Sequence, residues 1–223
     1  MTRIPTKIML ALAALAAPLV SGMAENGPDF ALKTGPYLAA GFGGDWIDTS
    51  SITFFNSRVD THWAGGFGGF AAIGYRFDYG FRAELEGSGR QDMIHKFGVN
   101  PWFGTQWDTS AMANLLYDIA TGTRFTPYVG GGIGLSHLSW GNNFRANLNQ
   151  LPYTYDDSDS KFAWQAITGV AFYATPALAV TLDARLKGSR GYNFPSTGPA
   201  FTNISNFDYQ TRSLFLGLRY SFD

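Results

Sequence analysis

The sequence predicts an all-β protein, an eight-stranded antiparallel up-and-down transmembrane β-barrel. Three observations carry this reading. Stretches of about ten residues alternate apolar with polar or small residues at period two, the mark of a strand with unlike faces. The connections between them alternate long and short. Within these stretches the apolar face holds no Asp, Glu, Lys or Arg.

The chain of 223 residues opens with Arg3 and Lys7 ahead of an apolar run, Ile8 to Val20, too short to span a bilayer as a helix. Small residues follow at Gly22-Met23-Ala24, so residues 1–24 read as a signal peptide cleaved after Ala24. The rival reading is an N-terminal anchor helix. The short run and the lack of a Cys for lipid attachment stand against it. Residues 25–35 then form a short periplasmic segment and residues 36–223 the barrel domain. Losing the signal peptide leaves 14 basic and 17 acidic residues, a net of −3, which does not suit nucleic acid as a partner. With no cysteine, an exported protein gains its stability without disulfides, and thiolate metal sites are excluded.

The first strand is Pro36 to Trp46, the second Trp63 to Phe77, the third Phe81 to Arg90 and the fourth Thr109 to Ile119. Pro127 to Leu138, Phe162 to Tyr173, Leu178 to Lys187 and Ser213 to Phe222 complete the set. Each reaches the roughly 9–11 residues that a tilted strand needs to cross a bilayer. The short links are Asp78-Tyr79-Gly80, Ala120 to Thr126 and Ala174 to Ala177, with Gly, Pro or Asp where a tight turn needs them. The long links are Ile47 to His62, Gln91 to Asp108, Ser139 to Lys161 and Gly188 to Arg212. An even strand count brings both termini to the short-turn side, leaving four long loops to face outward.

A half-buried soluble sheet also alternates, so the uncharged face and its rings decide the solvent. That face includes Leu38, Phe42, Phe67, Ile73, Leu115, Val129, Ile133, Leu135, Val170, Leu214, Leu216 and Leu218. Rings gather at its ends as two aromatic girdles. Trp46, Trp63 and Trp164 lie toward the long loops, and Tyr75, Phe77, Phe81, Tyr117, Phe172, Tyr220 and Phe222 toward the short turns. Arg212, in phase with Leu214, sits at a loop boundary where a long side chain can snorkel. The opposite face is expected to line the interior with an ionic cluster: Asp45, Arg76, Arg82, Glu84, Glu86, Arg90, Asp118, Asp183, Arg185, Lys187 and Arg219. An eight-stranded barrel is just wide enough to be filled by side chains, so these groups are expected to pair as a plug.

The Phe81-Arg82-Ala83-Glu84-Leu85-Glu86 strand, the glycine-rich run Thr126 to Gly134 and the closing Leu216-Gly217-Leu218-Arg219-Tyr220-Ser221-Phe222 give the chain a resemblance. It resembles the small outer-membrane β-barrel family, which includes OmpA-like and Opa-like barrels and surface antigens of alphaproteobacteria. The resemblance implies a Gram-negative outer membrane and contact with its lipids and lipopolysaccharide. It also implies recognition by the barrel-assembly machinery through the C-terminal strand, although here Asp223 follows the expected final aromatic, Phe222. No peptidoglycan-binding domain follows the barrel, so a cell-wall tether is not expected.

His137-Leu138-Ser139 resembles the His-x-Ser pair of outer-membrane lipid A deacylases, in which a Glu orients the His. Trp140 stands where that family has Asn, and no Glu follows; Asp156 or Asp157 would have to substitute. A histidine at headgroup level is the plainer reading. His62 and His95 lie in separate loops without ligand spacing, so neither metal nor cofactor is expected. Gly130-Gly131-Gly132-Ile133-Gly134 lies within a strand and not before a helix, and reads as room for larger side chains. The expected function is a monomeric, non-enzymatic structural or surface-interaction protein with a plugged interior. A narrow porin for small solutes is the alternative, and lipid A deacylation a more distant one. An extracellular ligand for the Asn-rich and aromatic loops, Trp140 to Asn149 and Tyr192 to Tyr209, is left open.

Overall fold

A computed structural model describes residues 33–47, 51–54, 57–63, 65–97, 100–144, 153–194 and 204–222. The signal-peptide reading and most of the N-terminal segment lie outside these. Ten strands form: β1 (Gly35–Ile47), β2 (Ser51–Phe54), β3 (Ser57–Trp63), β4 (Gly66–Arg76), β5 (Phe81–Phe97), β6 (Asn100–Asp118), β7 (Phe125–Phe144), β8 (Tyr153–Tyr173), β9 (Leu178–Phe194) and β10 (Ile204–Ser221).

Eight of them, β1 and β4 to β10, pair antiparallel with their sequence neighbours, and β10 pairs back onto β1 from Tyr37↔Ser221 to Ile47↔Thr211. The sheet is therefore closed, and no barrel strand keeps an unpaired edge along its central part. β2 and β3 form a hairpin above the rim, and β3 continues onto the outer part of β5.

The expected second strand is divided. β3 ends at Trp63 and β4 begins at Gly66, and the register of β3 on β5 shifts between His62 and Trp63. Phe77 falls just outside β4 and accepts the turn, its N–H donating to the Phe81 carbonyl at 2.8 Å. The turn itself is a single 3-10 turn, Asp78–Gly80, with positive φ at Tyr79 (63°) and Gly80 (87°). A residue with a Cβ at the second position would meet the Asp118 carbonyl, so glycine is required there.

The larger difference is on the other side. All four expected long loops are mostly strand: β2 and β3 occupy the first, and in the others β5 runs on to Phe97, β7 to Phe144 and β9 to Phe194, each meeting a partner that starts equally far out. Strands of 17 to 21 residues exceed what a bilayer needs, so the ribbons project beyond the bilayer. Once two strands are in register, each further residue adds ladder bonds at little extra closure cost. Rings and Thr, such as Phe103, Thr105 and Tyr155, favour that continuation.

The two faces differ as period two requires. Leu38, Phe42, Phe67, Ile73, Leu115, Ile133, Leu135, Leu214, Leu216 and Leu218 are exposed on the outer wall, while Val170 is only half-buried there. Ring pairs band the short-turn end: Tyr75 with Phe77, Phe81 with Tyr117, Phe125 with Phe172 and Tyr220 with Phe222, their centroids 4.9 to 5.2 Å apart. Trp46, Trp107 and Trp164 are exposed toward the long end. The side chain of Trp63 lies outside the described residues. Arg212 is half-buried and paired in register with Trp46.

Candidate functional site: the charged interior

β5 supplies the spine of the interior. Arg82, Glu84, Glu86, Ser88, Arg90 and Asp92 follow at every second position and all are buried. Directly opposite on β6 stand Leu116, Asn114, Met112, Ser110, Asp108 and Gln106. These side chains fit because neighbouring strands present glycine inward. A Cβ at Gly132 would collide with the Asn114 amide, and one at Gly169 would lie 2.6 Å from the Tyr128 ring.

The interior has three connected tiers. Nearest the short turns, Arg76 Nη2 and Arg82 Nε reach opposite oxygens of Asp118 at 3.0 and 2.8 Å. Arg76 also donates to the Tyr173 hydroxyl, and Arg82 to Glu84 at 2.6 Å. Tyr37 closes this tier by donating to the same Glu84 oxygen at 2.6 Å.

In the middle tier, Arg185 holds Glu86 at 2.7 Å with one terminal nitrogen and Asp183 at 2.9 Å with the other. Asn114 donates to Glu86, Gln165 donates to Asn114, and Tyr128 donates to Asp183. Toward the long strand ends, Lys187 sits 2.7 Å from Asp108, which also accepts from Ser136 at 2.6 Å and lies 3.4 Å from Arg90. Arg90 Nε is 3.4 Å from Asp45, which accepts from Ser213.

Rings complete the filling. The Arg185 guanidinium lies 3.8 Å from the centroid of Phe70 and 5.4 Å from that of Phe215. Arg82 and Arg219 each lie over both Tyr37 and Tyr128 at 5.0 to 5.6 Å. Guanidinium planes on aromatic faces keep much of their stabilisation when water is excluded. The interior is thus ionic and aromatic together.

The structure brings Asp45, Arg76, Arg82, Glu84, Glu86, Arg90, Asp118, Asp183, Arg185, Lys187 and Arg219 into one buried column. Sequence reasoning missed Asp92, Gln106 and Asp108, assigned to a loop, and the inward rings Tyr37, Phe70, Tyr128, Tyr173 and Phe215. Asp92 keeps the phase of Arg90, and Gln106 and Asp108 that of Ser110, so extending the alternation past the expected strand ends would have found them.

His137 is exposed on the outer wall. Its Nδ1 is 2.8 Å from the Ser160 hydroxyl and its Nε2 is 3.3 Å from that of Ser139. Both ring nitrogens thus meet hydroxyls, where a charge-stabilised nucleophile would need a carboxylate on one of them. Asp157 bonds instead to the N–H of Ser158, and the side chain of Asp156 lies outside the described residues. Among the described residues no group of three or more His, Asp or Glu could hold a metal ion. The side chains of His62 and His95 lie outside them.

Beyond the bilayer level, Asp159 of β8 accepts from the backbone of β9 at Asn193. Burial raises its affinity for a proton, but the N–H of Asn193, the Lys161 ammonium 3.0 Å away and the N–H of Ser160 outweigh this. Its carboxyl is held below the usual carboxylate range.

The family described as "Outer membrane protein beta-barrel domain" matches residues 9–222 of the chain. The outer membrane protein PagN of Salmonella typhimurium is 28% identical over 177 residues, covering 71% of this chain and 74% of that protein. An outer membrane protein of Gluconacetobacter diazotrophicus is 27% identical over 241 residues; 94% of this chain is covered, against 63% of that longer relative. Among solved structures, Neisserial surface protein A superposes with a TM-score of 0.51 at 18% identity, covering 84% of this chain and 97% of that one.

Proposed function

Because the chain belongs to the outer membrane protein beta-barrel domain family, we propose that it is a non-enzymatic envelope protein with a sealed interior that presents its outer ribbons to the surroundings. Its place is the outer membrane of a Gram-negative cell. The observation that carries the sealed interior is the continuous column from Arg76 to Lys187, in which each carboxylate of the three tiers meets a cation or a donor. A solute would have to break several buried ion pairs to pass, each of which costs about 3–5 kcal/mol when one partner is removed.

The same column supports a stabilising role. A small barrel without cysteine gains rigidity from cross-links between distant strands, and here β5 is tied to β6, β9 and β10 through side chains. The projecting ribbons β5/β6, β7/β8 and β9/β10, with the β2/β3 hairpin, are where a soluble or cell-surface ligand would meet the protein. Lipids and lipopolysaccharide would contact the apolar wall, and the assembly machinery the last strand. The protein would act as a monomer, without nucleic acid or cofactor.

Planar-bilayer recording tests the reading. The purified barrel should show no steady conductance, and Arg185→Ala should create one. Steady conductance in the unaltered protein that responds to Arg76→Ala or Glu84→Ala would establish the narrow pore instead. A change in lipid A mass in expressing cells, lost on Ser139→Ala, would overturn the non-enzymatic assignment.

A further inference from the structure

At the outer edge of the tier of Arg90, Asp108 and Lys187, four fully buried residues leave oxygens without a hydrogen-bond partner. They are Asp45 Oδ2, Asp92 Oδ1, Gln106 Oε1 and Thr211 Oγ1. The amide nitrogen of Gln106 is likewise unpartnered, so this side chain is wholly unsatisfied at 0% exposure. The register puts them on one arc of the wall. Asp92 stands opposite Gln106, and Gly66, which separates Asp92 from Asp45 across β4, is paired with Asp45. Thr211 is on the strand that flanks Asp45 from the other side, one inward position beyond Ser213.

Their orientation is informative. A Cβ built on Gly66 would run into Asp92 Oδ1, so the free oxygen of Asp92 leans over the glycine toward β1 and Asp45. The other oxygen, Oδ2, accepts from Tyr209 at 3.4 Å. Arg90 approaches Asp45 only at Oδ1, which leaves Oδ2 free. Charge points the same way: among the described residues the buried charged side chains are Asp45, Glu84, Glu86, Asp92, Asp108, Asp118 and Asp183 against Arg76, Arg82, Arg90, Arg185, Lys187 and Arg219. One negative charge is left over in this set; Asp92 is its carboxylate in no ion pair, and the cation in none, Arg219, lies over Tyr37 and Tyr128 in the tier nearest the short turns. An uncompensated buried carboxylate takes up either a counter-charge or a proton.

The geometry points to a binding site for one small monovalent cation at the outer mouth, held by Asp92 and Asp45 with the Gln106 carbonyl and the Thr211 hydroxyl. Two carboxylates with neutral oxygens form a hard donor set. The single surplus charge, with Arg90 close by, selects a monovalent ion over a divalent one. The ion would close the mouth of the column from outside and tie β1, β5, β6 and β10 together there.

The test compares the thermal midpoint of barrel unfolding, read as the heat-dependent band shift of the full chain in detergent, in sodium chloride and in choline chloride at equal ionic strength. Choline is too large for a cluster of buried side chains. At about ten times the dissociation constant the midpoint should be about 3–6 °C higher in sodium. Asp92→Asn should bring the two salts to the same midpoint, whereas a merely structural loss would lower both equally and keep their difference. If that variant does not fold, Gln106→Leu serves, with a reduced difference expected. Equal midpoints in the unaltered protein overturn the inference, as does a difference that follows calcium and not sodium. A midpoint that follows pH but not the salt overturns it too, because Asp92 would then be holding a proton.

Discussion

Asp118 shows how one residue organises a tier. It is fully buried and accepts from Arg76 and Arg82, whose side chains come from different strands. Asp118→Asn keeps the shape and leaves two buried guanidinium groups facing a neutral amide. The expected loss is about 3–5 kcal/mol, read as a lower urea midpoint for unfolding in lipid vesicles. Gly132→Val should cost about 1–3 kcal/mol in the same assay, because the added branches occupy the volume of the Asn114 amide. Asp159 yields a pH expectation with a definite sign. Its proton affinity is depressed in the folded chain, so its contribution is present above the unfolded value and lost as pH falls through the folded one. The contact between β8 and β9 should loosen only once the pH falls below the ordinary carboxylate range. Hydrogen exchange at the Asn193 amide should quicken there while the central strands stay protected.

At the scale of the strand, alternation decides which substitutions are tolerated. Leu216, on β10 four residues from the girdle ring Tyr220, is exposed on the outer wall, and its neighbour Phe215 is fully buried. Leu216→Arg should cost about 2–4 kcal/mol in a bilayer, and less for the same change at Tyr220, near the girdle. A refolding titration in vesicles checks the gradient; equal costs at the two depths would contradict a lipid-facing wall. The strand centres and the closed antiparallel order were legible in the sequence because period two is imposed by lipid on one side and a polar lumen on the other. The strand ends were not. There the inward face is still buried at Asp92, Gln106 and Asp108, but the long polar runs around them, with no apolar stretch to mark a bilayer, read as loop. The inward rings were illegible for a related reason. Phe70 and Phe215 share the polar phase, and only the guanidinium of Arg185 over both explains their placement.

For the whole molecule, closure makes stability collective. Removing any one strand would expose two edges of unpaired backbone to hydrocarbon, where each unsatisfied group costs several kcal/mol. The purified chain should therefore unfold in one step, migrating compactly when unheated and as an extended chain after boiling. Two well-separated transitions on the gel would mean that the projecting ribbons and the barrel come apart independently.

The seam between β1 and β10 joins the two extremities of the folded chain. Its ladder is the most non-local in the molecule, so both of its strands must be delivered before the ring can shut. Until then the nascent cylinder is a curled ribbon with two sticky margins. Left open, such margins would zip onto a neighbouring chain, so slower closure should lower the yield of folded protein.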